Sequence, residues 1–329
     1  MSLQWRFERD RALSEKQIMS TERLNEQMFG RGRAHAAFAA LIILSILVFW
    51  KALHELVVFS LNQESSSHIL LIPFVSVYLL YSERSRIFRR VQPSPTAGGA
   101  VVLAAAAVYV FAVSWLAARK ADEFLSTATL AIVAMWLGSF LLCYGSFAWR
   151  RASFSLLFLL LMVPLPPPVL ERSIYLLQQG STEIAYLLFK AVGVPVLRQG
   201  FVLTVPGVAI EVAKECSGIR SSVALFITCL LAAHLFLRTK WRMLIFVLLS
   251  LPLAVVKNGI RITTLTLLSV YVDPGFLTGR LHRQGGFVFF FLALAILAPV
   301  LMILQKSEGK EPIQDASIAR KPENGLAAG

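Results

Sequence analysis

Apolar runs separated by short basic stretches dominate the chain. A bilayer span needs about 20 mostly apolar residues, and runs of that kind recur from residue 36 to residue 304. The first predicted span is Ala36–Leu61 and the second, shorter, is His68–Tyr81. The third and fourth are Gly98–Ala118 and Phe124–Trp149. The fifth, Phe154–Leu170, ends in the cluster Pro164–Pro168, where missing N–H groups block helix continuation. The sixth is Ser221–Leu237 and the last Gly285–Leu304. Met243–Val272 is too long for one plain span and short for two. Read as one helix kinked at Asn258–Gly259 it makes eight spans, and read as two it makes nine. One kinked helix is the preferred expectation.

Between the fifth and sixth spans the pattern changes. Glu171–Val194 alternates with helical period, with Leu176, Leu177, Ile184, Leu187 and Leu188 apolar and Gln178, Gln179 and Glu183 polar. It predicts an amphipathic helix lying at the membrane interface. Val196–Ile210 is valine-rich and broken by Gly200, Pro206 and Gly207, as a short hairpin or extended loop would be. The expected architecture is therefore an all-α integral membrane protein with about eight transmembrane helices, an outer interfacial helix and a short hairpin. Residues 1–33 form a polar segment, 34–304 the membrane domain, and 305–329 a polar tail expected to be disordered.

Composition sharpens this. Of 329 residues, 57% are hydrophobic and 16% charged, against about 45–50% and 25% for soluble domains. The net charge of +13 does not point to nucleic acid, because the basic residues sit in clusters between apolar runs. Those clusters orient the chain instead. Arg6, Arg9, Arg11, Lys16, Arg23, Arg31 and Arg33 precede the first span. Arg84, Arg86, Arg89 and Arg90, then Arg150 and Arg151, then Arg238, Lys240 and Arg242 follow even-numbered spans. Basic loops face the cytoplasm, so the N-terminus is expected inside. No cleavable leader opens the chain, and the first apolar run is expected to stay as an anchor. Segment 171–216 then faces outward, and so does His282 if Met243–Val272 is one helix.

Three places carry chemistry. Cys216, in Glu215-Cys216-Ser217-Gly218-Ile219-Arg220-Ser221, lies at the mouth of the sixth span. A helix N-terminus and Arg220 both favour a thiolate, and the small neighbours admit a peptide backbone. Cys143 and Cys229 lie inside apolar runs and read as packing residues. In Lys257-Asn258-Gly259-Ile260-Arg261, Arg261 is either an oxyanion stabiliser or half of an ion pair with Glu215 or Asp273, and Lys257 suits snorkelling. His282, just before the last span and followed by Gly285 and Gly286, is either a proton shuttle or an interfacial residue. His68 opens the second span on the same side as Cys216. His54-Glu55 begins like a zinc-protease helix, but no second histidine follows at the required spacing. No metal or cofactor motif is present. A nucleophile, a base and a cation together make an acyl-transfer set.

These motifs resemble the exosortase/archaeosortase family of membrane transpeptidases. The resemblance rests on Cys216-Ser217-Gly218-Ile219-Arg220-Ser221, on Asn258 with Arg261, and on His282 with Gly286. Ser67-His68 ahead of Ile72-Pro73, the Val163–Pro166 break and the Gly193–Val196 turn also fit, and the likeness spans about residues 40–304. Glu215 stands where the family often has alanine. The resemblance implies a cysteine transpeptidase of the inner membrane. Its substrates would be membrane-anchored secreted proteins with C-terminal sorting tails of the PEP-CTERM type. Cys216 would form a thioester, Arg261 would steady the oxyanion and His282 would move protons. Ser217, Gly218, Arg220, Asn258, Gly286 and His68 would support them, without cofactor, metal or nucleic acid. Two other classes compete. A transporter or channel would tolerate Cys216→Ser, and a small-molecule acyltransferase or polysaccharide-export component would leave protein C-termini unchanged.

Overall fold

The computed structural model describes residues 30–117, 121–277 and 286–308. The chain divides into two compact units, Met1–Gln179 with Val212–Arg220, and Gly180–Glu211 with Ser221–Gly329. Among the described residues six helices are long and apolar enough to cross a membrane, and Ser66–Ser82 adds a shorter apolar stretch.

In the first unit α1 (Gly30–Val48) and α2 (Trp50–Asn62) occupy the first expected span, parted only at Phe49. A 3-10 turn over Glu64–Leu70 leads into α3 (Ile72–Ser82) and the single turn α4 (Arg84–Ile87). Proline at the start of α5 (Pro95–Phe111) lacks only an N–H that a first turn leaves unpaired. The fourth and fifth expected spans form one helical run, α6 (Ala121–Phe158), broken at Gly145 with φ 79°. The division therefore falls at Gly145 and not at Arg150 and Arg151 as the charge pattern suggests. The cause is steric. A Cβ on Gly145 would lie 1.6 Å from the Gln92 carbonyl oxygen, so only glycine fits both the space and the dihedral. Among the described residues, the six long helices, with α6 divided at Gly145 and Ser66–Ser82 added, make eight apolar stretches.

The arm before Gly145 runs antiparallel to α5. Gly98 meets the Leu142 backbone and Gly138 meets Val101 and Val102, so small residues let the two backbones approach. Phe49, Ala52, Ala112, Ala128 and Ile132 close one end of this packing. The other end holds His35, whose Nδ1 lies 2.9 Å from the Tyr144 hydroxyl among Phe38, Phe88 and Phe140. The arm after Gly145 pairs with α3, where the Ser76 hydroxyl donates to the Ser155 carbonyl at 2.6 Å. Outward positions are strongly apolar. Leu47, Phe74 and Leu103 are each about 70% exposed (68%, 74% and 72%). Against water such a surface is a liability, and against lipid tails it is the ordinary exterior.

The Pro164–Pro168 cluster ends the run as expected, and α7 (Pro167–Ala191) starts inside it. The expected hairpin is larger than predicted. It is a three-stranded antiparallel sheet of β1 (Leu197–Gln199), β2 (Val202–Val205) and β3 (Val208–Glu211). Gly200-Phe201 and Pro206-Gly207 make its two turns, with positive φ at Gly200 and Gly207. The third strand escaped notice because Ala209 and Glu211 dilute its pattern. Leu203 and Val205 point from β2 into the interior. Arg198 of β1 forms an ion pair with Glu183 of α7.

The second unit is completed by α8 (Ile219–Phe236), α9 (Lys240–Tyr271) and α10 (Gly286–Ser307). Leu225, Cys229 and Ala233 of α8 pack with Phe246, Val247 and Ala254 of α9 and Ala293 and Leu297 of α10. α9 is one helix of 32 residues, about 48 Å long, more than a hydrocarbon core of about 30 Å needs. It stays helical through Asn258–Gly259, where the sequence suggests a kink, because both residues are buried in helix contacts. Gly259 gives α7 room, since a Cβ there would lie 2.4 Å from Ile184 Cγ2.

Candidate active site

Residues 212–220 hold the cysteine motif in the first unit. Gln178 of α7 is 7% exposed and its Nε2 donates to the Val212 carbonyl at 2.9 Å, anchoring the segment four residues ahead of Cys216. A 3-10 turn over Lys214–Ser217 follows, in which the Cys216 N–H donates to the Ala213 carbonyl at 3.0 Å. Gly218 ends it with φ 75° and ψ 15°, left-handed values that favour glycine. α8 begins at the next residue. The cysteine thus sits on a 3-10 turn just ahead of a helix N-terminus. Cys216 is half-buried, and Arg220 in the first turn of α8 is exposed.

Ser217 is fully buried, and its hydroxyl has no hydrogen-bond partner among the described residues. Leaving such a group unsatisfied costs about 1–3 kcal/mol. His68 belongs to the same unit, half-buried in the 3-10 turn before α3.

The second unit holds the other motif. Asn258 is fully buried, and its Nδ2 donates to the Ser181 hydroxyl of α7 at 3.0 Å. Arg261 is half-buried one turn from Lys257. Lys257 does not snorkel. It is 3% exposed, and its Nζ lies 2.5 Å from the Ser221 hydroxyl of α8. Snorkelling needs a path to the interface, and position 257 falls near the middle of α9. Ser181, Ser221 and the true place of Lys257 were not legible beforehand. Only a buried cation in a long apolar run hinted at them.

Gly286 opens α10, with nothing described within 4 Å of where a Cβ would sit. His282 lies outside the described residues. Cys216, Ser217, Gly218, Arg220 and His68 therefore belong to one unit, and Asn258, Arg261 and Gly286 to the other. Among the described residues no group of three or more His, Cys, Asp or Glu could hold a metal ion. His35 is taken up by the aromatic cluster around Tyr144, a structural role.

No curated protein and no solved structure matches the chain. A family profile described as transmembrane exosortase matches residues 58–299, which include the cysteine motif, the Asn258–Arg261 segment and His282. That match covers well over half of the sequence, and the chain belongs to the transmembrane exosortase family.

Proposed function

We propose that this protein is a membrane cysteine transpeptidase that processes C-terminal sorting tails on secreted proteins. The observation that carries this is the setting of Cys216. It stands on a turn closed by left-handed Gly218, ahead of the α8 N-terminus and next to the buried hydroxyl of Ser217. A free thiol has a pKa of about 8.5, so a nucleophile at neutral pH needs help to ionise. The positive end of the α8 dipole supplies it in part.

The chemistry follows in order. The Cys216 thiolate attacks the carbonyl at the sorting motif. Arg261 holds the oxyanion, which a water-poor site makes worth roughly 3 kcal/mol. His282 protonates the leaving amine, and a thioester remains on Cys216. His282 then takes a proton from the acceptor, water or an amine, which releases the protein. Gly218, Arg220 and His68 would support Cys216 within its unit, and Asn258 and Gly286 would support Arg261 within the other. The basic clusters support a cytoplasmic N-terminus, with Cys216 at the outer face of the inner membrane.

The test is a reporter secreted with a sorting-type tail, co-expressed with wild type or with Cys216→Ala. Loss of the mobility shift in the variant supports the assignment. Equal processing in both reduces Cys216 to a packing residue and favours a transporter.

A further inference from the structure

Lys257 is the least expected residue of the second unit. It is 3% exposed near the middle of a 32-residue membrane helix. Neither α8 nor α9 contains an Asp or Glu. Arg261, a like charge, stands one turn further along the same helix. An ammonium at membrane depth is expensive, and such residues are functional candidates by default. Its polar contact is a neutral hydroxyl, Ser221 Oγ at 2.5 Å. Ser221 is half-buried, so of the two it is the member that a reactant can meet. A lysine buried behind an accessible serine is the arrangement in which an amine takes a serine proton.

We propose that Ser221 and Lys257 form a second nucleophilic site, a serine–lysine pair acting on amide or ester carbonyls at membrane depth. In its amine form Lys257 accepts the hydroxyl proton as Ser221 Oγ bonds to the carbonyl carbon. The C–N or C–O bond then breaks, and the leaving amine or alcohol takes that proton from Lys257. A serine ester remains, and water cleaves it by the reverse proton path. Arg261, one turn along α9, favours the oxyanion that forms on the reactant. This site uses neither Cys216 nor His282, so it stands or falls apart from the transpeptidase assignment.

The experiment uses the full chain with Cys216→Ala, purified in detergent and treated with an alkyl fluorophosphonate. Attack by Ser221 forms an Oγ–P bond, expels fluoride and passes the proton to Lys257. The expected result is an adduct mapped by mass spectrometry to the peptide carrying Ser221 and absent from Ser221→Ala. Lys257→Met, and Lys257→Arg as the more conservative change, should each slow its formation about a hundredfold. Gel filtration selects the variants that remain folded, and either one suffices. No adduct on Ser221 in the starting protein overturns the proposal, whatever the lysine variants do. Labelling at an unchanged rate in a folded Lys257 variant overturns the role of the base.

Discussion

The contact between α7 and α9 makes a sharp prediction at Gly259. An alanine there would place its Cβ 2.4 Å from Ile184 Cγ2 and 2.6 Å from Ile184 Cβ. Carbon atoms rest about 3.5–4.0 Å apart, so the overlap exceeds about 1 Å. Rotating Ile184 moves its Cγ2 but not its Cβ, so the helices must separate. Overpacking of this kind costs about 1–3 kcal/mol. A shift of that size also stretches the 3.0 Å Asn258–Ser181 hydrogen bond past useful length. Losing it between two fully buried groups adds about 1 kcal/mol. Gly259→Ala should therefore destabilise the second unit by roughly 2–4 kcal/mol. At about 2–4 °C per kcal/mol the midpoint falls by roughly 5–15 °C. Thermal unfolding of the detergent-purified protein reads this, and Ile184→Ala provides the control. Removing the obstructing branch should make the double variant more stable than the two single losses predict, by about 1 kcal/mol or more. Strict additivity, or a Gly259→Ala protein that melts with wild type, would refute the argument.

Other predictions concern the remaining elements. Gln178→Ala removes the anchor on the Val212 carbonyl and should lower the processing rate about tenfold, with little loss of thermal stability, as read in the reporter assay. Gly145→Ala meets both the Gln92 carbonyl and an unfavourable φ, and should abolish accumulation of folded protein, measured by gel filtration after extraction. The Glu308 carboxylate accepts from the Thr239 and Arg238 N–H groups at the start of α9, near Arg242. The Thr239 N–H first, then the Arg238 N–H and the charge of Arg242, holds its carboxyl below the usual carboxylate value. A depressed carboxyl contributes above its ordinary range, and that contribution is lost as pH falls through the lowered value. Protection of the amides at residues 238–239 against hydrogen exchange, corrected for the intrinsic rate, should fall on acidification in wild type and be low at all pH in Glu308→Gln.

Much of this was legible in the chain because membrane helices are written in long apolar runs. The proline cluster at 164–168, the amphipathic helix α7 and the single long α9 follow directly from such patterns. Breaks made by glycine were not. Gly145 and Gly259 both lie inside long helical runs, yet one breaks a helix and the other lets two helices touch. The difference lies in what approaches each of them, Gln92 or Ile184, and those neighbours are remote in sequence. The polar interior was hidden for the same reason. Lys257 reads as a snorkelling residue until Ser221 is placed beside it, and Gln178 as solvent-facing until it meets Val212. The cysteine motif was the opposite case, since Cys216-Ser217-Gly218 is contiguous and its turn is local.

The central claim is that Cys216 carries the acyl group of a sorting-tail substrate. The most direct test is to isolate the protein from cells expressing the tailed reporter and to analyse the Cys216 peptide by mass spectrometry. The account predicts a reporter-derived acyl group on Cys216 that hydroxylamine releases, as a thioester requires. A reporter that is fully processed while Cys216 remains an unmodified thiol, or while Cys216→Ala works as well, would contradict it.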